Sequence, residues 1–445
     1  MKQSADIDRI TERATESLTR RGRYLVLAAA FLGWMFAGVE MSIMVPATRP
    51  AIQHFLSQPA ASLAGATGAV HFETSADKWL SWFVTAFLLG GALGGVVFGW
   101  LGDRAGRVKA MGWSILCYSG VTGLSYFVTT PEQLLVLRFI ACLGIGGMWP
   151  SGVALVAEAW PSVSRPVLAG LIGSAANVGF LILGIMMFYF PITKETWRWV
   201  LLFGGTPLFL GLLVLWIVPE SPRWLEARDR ASALMTSPVI EVFRPPLLRL
   251  TLLGIALGTI PLLGGWASGQ RLVPWAGQVA DQLGLANLKA VTQTFHSSGA
   301  VIGSLLGGWI ASRLGRRRSY FLISLGSLAL SAYIFLRVKP NDPQFVWTVF
   351  ALGLVSTSFF GWLPYFLPDL FPTSVRATGT GVSFNFGRIL SAVALLSSTA
   401  LSELFRGDIS KMGATTSLVY GFGLVVAWFI PSAQELKTHR GSQRS

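Results

Sequence analysis

Charge is scarce in this chain: Asp, Glu, Lys and Arg make up 13% of its 445 residues, where a soluble domain carries about 25%. The deficit excludes an ordinary water-soluble fold. Cysteine is nearly absent too. Cys117 and Cys142 both fall inside apolar runs without metal-ligand spacing, and read as small packing residues rather than a disulfide. Four histidines offer no zinc pattern, and no phosphate-binding Gly-Lys loop or nucleophile elbow occurs. No metal or cofactor is therefore expected, and neither ATP-driven pumping nor catalysis is supported. A membrane-embedded enzyme stays only as the alternative of a different class. Residues 1–23 mix Arg with Asp and Glu and are not followed by a short apolar core with a small-residue cleavage site, so they read as a cytoplasmic tail rather than a signal peptide.

What the chain has instead is apolar length. Hydrophobic residues make up 52% and the mean hydropathy is +0.57. A transmembrane helix needs about 20 apolar residues to cross a hydrocarbon layer of roughly 30 Å. Twelve such spans are expected at 24–46, 78–100, 110–129, 132–156, 166–190, 198–218, 247–268, 289–311, 319–337, 344–367, 377–400 and 413–431. The expected fold is an all-α polytopic membrane protein with twelve transmembrane helices in two pseudo-symmetric six-helix bundles. The bundles cover 24–218 and 247–431, separated by a cytoplasmic linker at 219–246 and followed by a cytoplasmic tail at 432–445. Two longer outer connectors are expected near 57–77 and 269–288. The net charge of +14 is scattered over short connectors rather than gathered on one polar face, so no nucleic-acid partner is expected. Most of the Lys and Arg fall in the tails and even-numbered connectors, and the positive-inside rule then puts both termini in the cytoplasm.

The two halves repeat each other. The stretch GWLGDRAGRVK from Gly99 to Lys109 returns as GWIASRLGRRR from Gly308 to Arg318, an offset of 308 − 99 = 209. Gly106 and Gly315 allow a tight turn, and Arg104, Arg107, Arg313 and Arg316 put fixed charge at one membrane face. The acid Asp103 has Ser312 as its counterpart. A second echo sets Glu158, Pro161, Arg165 and Gly170 against Asp369, Pro372, Arg376 and Gly381. Small residues spaced by four, Gly90 with Gly94 and Gly91, Gly95 with Gly99, are matched by Gly299, Gly303, Ser304 and Gly308, as close helix packing requires.

The repeated loop resembles the signature loop between helices 2 and 3, and between 8 and 9, of the major facilitator superfamily of transporters. The segment PESPRWL, with Glu220 and Arg223, resembles the end of helix 6 in the sugar-porter-like branch, and RFIACLGIGG resembles that family's Arg-centred motif in helix 4. The resemblance implies alternating access by rocking of the two bundles around a central cavity. It also implies a cytoplasmic gate of ion pairs built from Asp103, Arg104, Arg107, Glu158, Arg165, Glu220, Arg223, Arg313, Arg316, Asp369 and Arg376. Helix 5 lacks the Gly-Pro motif of drug/proton antiporters, and helix 7 lacks the paired glutamines and asparagine of hexose sites.

Ionisable residues deep in apolar spans are functional candidates by default. Glu40 in the first span and Arg138 in the fourth fall at similar depth and form the candidate proton-coupling pair, since separating them would leave a buried carboxylate without its counter-charge. Candidate substrate contacts are Arg388, His296, Asn177, Asn385, Trp149, Trp266 and Trp362. His296 and the two asparagines also read as packing groups. Most other tryptophans, including Trp79, Trp82, Trp100, Trp197 and Trp199, are expected to be interfacial anchors. Arg49, Arg271, His296 and Arg388 together favour an anion. The reading is a monomeric secondary transporter of the bacterial inner membrane, surrounded by membrane lipid. It takes up a small organic acid by proton symport; the alternatives are a neutral sugar-like or aromatic metabolite, or proton-coupled export.

Overall fold

The structure is a computed structural model that describes residues 18–57, 66–160, 165–190, 192–231, 237–267, 269–285, 288–396, 404–405 and 408–431. Residues 1–17 of the expected tail at 1–23, the expected tail at 432–445, Pro161, and the side chains of Arg49, Arg165 and Trp266 lie outside the described residues, and the helix already begins at Arg20. Among the described residues the elements are helical throughout, with no strand. In chain order they are α1 (Arg20–Ser57), α2 (Ala66–Ala105), α3 (Arg107–Leu124), α4 (Pro131–Ala159), α5 (Arg165–Tyr189), α6 (Trp199–Gly205), α7 (Leu208–Ile217), α8 (Pro222–Ala231), α9 (Pro238–Glu241), α10 (Leu247–Ala267), α11 (Leu272–Leu283), α12 (Leu288–Leu314), α13 (Arg316–Arg337), α14 (Phe345–Phe366), α15 (Arg376–Leu396), α16 (Ile409–Ser417) and α17 (Val419–Val426).

Nine stretches among the described residues are long and apolar enough to cross a membrane. The other three long helices, α3, α12 and α15, fall short for visible reasons. The first is 18 residues long and starts on Arg107 and Lys109, and the other two carry Gln293, His296 and Ser297 or Thr380, Asn385 and Arg388. Apolar neighbours rather than lipid surround much of these helices, so their own hydropathy can be low. Leu93, Val97, Trp113, Phe209, Trp216 and Phe422 leave large apolar side chains exposed around the outside, the arrangement of a protein whose solvent is hydrocarbon.

Several expected boundaries move. The first helix continues eleven residues past the expected end at 46, to Ser57, because Ala47, Ala51, Ile52 and Phe55 pack with Phe83, Leu134 and Trp197 in a separate core. The expected connector at 57–77 is helical from Ala66, and the one at 269–288 is mostly the amphipathic α11. That helix buries Leu272, Ala276 and Ala280 at a spacing of four and stops at Gly284, whose φ of 68° is left-handed. The expected linker contains α8 and α9. The sixth span breaks between Gly205 and Leu208, where Pro207 has no N–H to donate. Trp197 is no interfacial anchor: it is fully buried against His54 and Phe55.

Glycine lets the halves meet. In the first half α2 lies on α4, where a Cβ at Gly94 would strike the Leu143 carbonyl; the second half repeats this as α12 on α14, at Gly303 and Leu354. Between the halves, Gly95 faces Asn385 and Gly99 faces Ala377 and Thr378, while Gly170 faces Leu305 and Gly308 faces Pro166. These contacts run from the middle of the helices to the end that carries Arg107, which is therefore shut.

Candidate functional site

The shut end is held by a buried ion network. Arg107 is fully buried and donates to Asp103 (2.8 Å), Glu158 (3.4 Å), and the carbonyls of Gly102 and Thr373. Asp103 in turn accepts the backbone N–H groups of Ala377 (3.1 Å) and Thr378 (2.7 Å) from the first turn of α15, where unpaired amides and the helix dipole favour a negative charge. Glu158 also receives Arg376 at 2.8 Å, so both acids tie the first half to the second. Glu220 caps α3: its carboxylate accepts the amides of Arg107 (3.0 Å) and Val108 (3.1 Å) beside Gly106, whose φ is 120°. Burial raises the Glu220 carboxyl above its ordinary value, opposed by these amides and by Arg107. On the repeat side Arg316 pairs with Asp369. Arg104 and Arg313 stack on Trp100 and Trp309 on the exposed surface, and Arg223 is exposed; among the described residues none of the three joins the network.

Beyond this seal lies a cavity of about 180 Å³. Its lining runs from Trp34, Phe87 and Asn177 at mid-helix to Gly265 and Gly269 at the end of α10 away from Arg107. The walls are mostly apolar and aromatic, with Phe180, Phe360 and Phe384 among them. Arg388 stands in this wall at 2% exposure. Its guanidinium lies over the Phe87 ring (4.9 Å) and near Phe384 (5.9 Å), while Nε and Nη1 have no hydrogen-bond partner among the described residues. Among the described residues no carboxylate lies within ion-pair distance of it. A Cβ at Gly91 would collide with this guanidinium, so glycine on α2 makes the space in which a second-half arginine presses against the first half.

Glu40 and Arg138 meet on facing helices α1 and α4. Oε2 of Glu40 accepts from Arg138 Nη1 (3.1 Å) and Thr122 (2.9 Å), and its backbone carbonyl accepts from Arg138 Nη2 (2.8 Å). Both side chains are buried, and among the described residues Oε1 of Glu40 has no donor. Arg138 approaches the same Phe87 ring as Arg388, at 5.9 Å.

The remaining candidates separate. His296 and Asn177 line the cavity, and Asn177 donates across the halves to Ser304 at 2.9 Å. Asn385 donates to the Gly146 carbonyl at 3.2 Å, also across the halves. Trp149 is buried and stacks on Phe384 with centroids 4.0 Å apart. Trp362 sits away from the cavity, in the second-half core, where its indole N–H reaches Ser319 and the Arg316 carbonyl. Arg271 reaches the Met412 sulfur rather than the cavity. Sequence reasoning missed Trp34, Phe87, Phe180, Gln293 and Tyr420 in the cavity wall and Thr122 beside Glu40. Aromatic and hydroxyl residues inside an apolar span carry no signal of which face they occupy.

The comparisons agree with this geometry. The family model of the Major Facilitator Superfamily matches residues 24–395. The chain is 27% identical over 346 residues to the sialic acid transporter NanX of Escherichia coli, covering 76% of this chain and 82% of that one. It is 28% identical over 320 residues to the cis,cis-muconate transport protein of Acinetobacter baylyi, covering 69% and 74%. Its fold matches the proton:xylose symporter XylE with a TM-score of 0.69 at 16% identity, over 93% of this chain and 96% of that one. With a repeated loop, a shut end and a cavity between two halves, this chain belongs to the Major Facilitator Superfamily: it is an integral membrane protein and a secondary transporter of a small molecule, not an enzyme.

Proposed function

We propose that the chain is a proton-coupled symporter of a small, ring-bearing or unsaturated organic acid. One observation carries the reading: Arg388 is a buried guanidinium, lodged in an aromatic-walled cavity, with two nitrogens unpartnered among the described residues. A buried cation is costly unless paired, and a guanidinium matches a carboxylate in bidentate geometry. Phe87 and Phe384 already flank that guanidinium, so an acid held on it would lie against aromatic faces. The muconate and sialic acid named for two relatives are compounds of this acidic class.

The charges around the cavity support the coupling. Arg138 and Arg388 bring two positive charges and Glu40 one negative charge. A substrate carboxylate on Arg388 balances the set. When Glu40 takes up a proton on its donor-free Oε1, Arg138 loses its counter-charge, and the region then holds an anion more strongly. Proton and anion thus favour each other, as symport requires. With the Arg107 end at the cytoplasm, as the positive-inside rule directs, the shut end faces inward and the cavity is reached from outside. This corresponds to uptake across the bacterial inner membrane by a monomer with both termini cytoplasmic.

Proteoliposomes with an imposed pH gradient test the reading, using labelled nicotinate, cis,cis-muconate and N-acetylneuraminate against xylose. At least one acid is expected to accumulate when the outside is acidic, and xylose is not. Glu40→Gln is expected to abolish accumulation while allowing exchange of the same acid down its own gradient. Arg388→Lys is expected to weaken affinity about tenfold or more, because an ammonium cannot reproduce the planar fork. Full concentrative uptake by the Gln variant removes Glu40 as the proton carrier, and unchanged affinity in the Lys variant removes Arg388 from the substrate site.

A further inference from the structure

A second cavity, about 610 Å³, opens on the flank of the second half, far from the central one. Its wall is built by α10, through Leu250, Leu253 and Ala256, and by the end of the last helical segment, through Val426 and Trp428. Two arginines stand at its mouth, Arg249 on α10 and Arg317 on the first turn of α13. Both are exposed. Arg317 donates to the Ile430 carbonyl at 3.0 Å, and among the described residues no carboxylate forms an ion pair with either arginine. They lie at the same end of the bundle as Arg316 and the repeated loop.

The geometry points to a binding site for one anionic phospholipid, with its phosphate between Arg249 and Arg317 and one acyl chain along α10. The first argument is depth. Arg249 to Ala256 is seven residues, about 10 Å at 1.5 Å per residue, which is about two-thirds of one leaflet of a hydrocarbon layer roughly 30 Å thick. The groove therefore starts where a headgroup sits and ends inside the same leaflet. The second is charge. Two guanidiniums without carboxylate partners match a phosphodiester, whereas the wall below them is wholly apolar and would reject a hydrated free anion. The third is the rim: Trp428 is 66% and Phe429 62% exposed, and aromatic rings at the mouth are where the headgroup region holds them. A zwitterionic lipid carries its own cation and gains less from the pair of arginines. The site touches neither Glu40 nor Arg388, so its fate is independent of the substrate reading.

Native mass spectrometry of the full-length protein, released from nanodiscs of equimolar phosphatidylglycerol and phosphatidylcholine with matched acyl chains, tests it. One phosphatidylglycerol is expected to stay bound in preference to phosphatidylcholine. Each arginine near a membrane surface contributes enough for about a fivefold preference, so Arg249→Gln or Arg317→Gln alone is expected to lower it about fivefold, and both together about thirtyfold. The double Arg→Lys variant is expected to keep most of the preference, and Arg318→Gln, a neighbouring charge that does not line the groove, all of it. Ala256→Phe, which fills the deep end, is expected to weaken retention without touching the charges. The proposal is overturned if the double Gln variant keeps the wild-type preference, if inorganic phosphate displaces the lipid as well as phosphatidylglycerol vesicles do, or if the groove proves to hold a second copy of the chain.

Discussion

The two copies of the repeated loop share a backbone and differ in what they do with charge. Gly106 and Gly315 both take a positive φ, 120° and 83°, and both open a helix with arginine. Around the first copy the paired groups are enclosed although Arg104 is exposed: Arg107 is fully buried, Asp103 is 8% exposed, and Glu220 sits against Gly106. Around the second copy Ser312 is exposed and spends its hydroxyl on the Trp309 carbonyl, nothing among the described residues faces Gly315, and Arg316 holds a half-buried Asp369. The same turn can therefore be a lock or a plain hinge point. The difference is one carboxylate and the amides it reaches, so the shut end is fastened on one side of the pseudo-symmetry axis more than on the other.

The largest test of that contrast is Glu158→Gln. It leaves Arg107 and Arg376 without the carboxylate that both contact, and breaking a buried pair costs about 3–5 kcal/mol. The shut state is expected to lose most of its population, read as fast labelling by a maleimide of a cysteine introduced at the buried Thr380, in a background with Cys117 and Cys142 replaced by serine. Slow labelling would make the first copy as passive as the second. Asp103→Asn is expected to act in the same direction but less, about 2 kcal/mol, because an amide keeps one acceptor for the Ala377 and Thr378 amides while losing the charge on Arg107. Transport is expected to fall while the protein still inserts and purifies. Unchanged labelling and uptake would reduce the loop to a topology signal.

The smallest effect belongs to the transplant. Gly308 approaches Pro166 as Gly99 approaches Ala377, so Ser312→Asp is expected to bring a carboxylate to the first turn of α5 and slow opening by about 0.3–1 kcal/mol. Ser312→Ala is expected to change labelling hardly at all. If the added acid opened the protein instead, the two loops would not be equivalent in geometry, and their likeness would end at the turn.

Much of this was legible before any coordinates. Apolar length told of membrane helices, the offset copies told of two halves, and Glu40 and Arg138 stood out because carboxylates and guanidiniums are costly in hydrocarbon. That cost is a property of the residue type, which is why single positions could be picked. Pairing was harder. Arg388 was visible as an isolated charge, yet its lack of a carboxylate partner among the described residues is a fact about every helix around it. Phe87, which both guanidiniums approach, is one phenylalanine among 29, and no pattern marks it. Trp362 looked like a cavity residue because it neighbours a glycine, but its helix turns that face into the second-half core. The outer connector at 269–288 differs for a related reason: residues 272–283 are too short in apolar residues to span, and a helix that packs on protein rather than lipid needs no such length.

The sequence by itself determined that the chain spans a membrane, that it does so in two related halves, and which turns glycine must make, because hydropathy, repetition and the steric needs of a positive φ are local properties that survive any arrangement of the helices. The tertiary structure decided which end is shut, which arginine in the middle has no carboxylate within ion-pair distance among the described residues, and that the first of the two matching loops is enclosed in a buried ion network. Those outcomes depend on distances between residues more than two hundred positions apart, such as Asp103 with Thr378 and Glu158 with Arg376. A hydrogen bond needs its donor and acceptor within about 3.2 Å, and such proximity has no trace in the order of the chain.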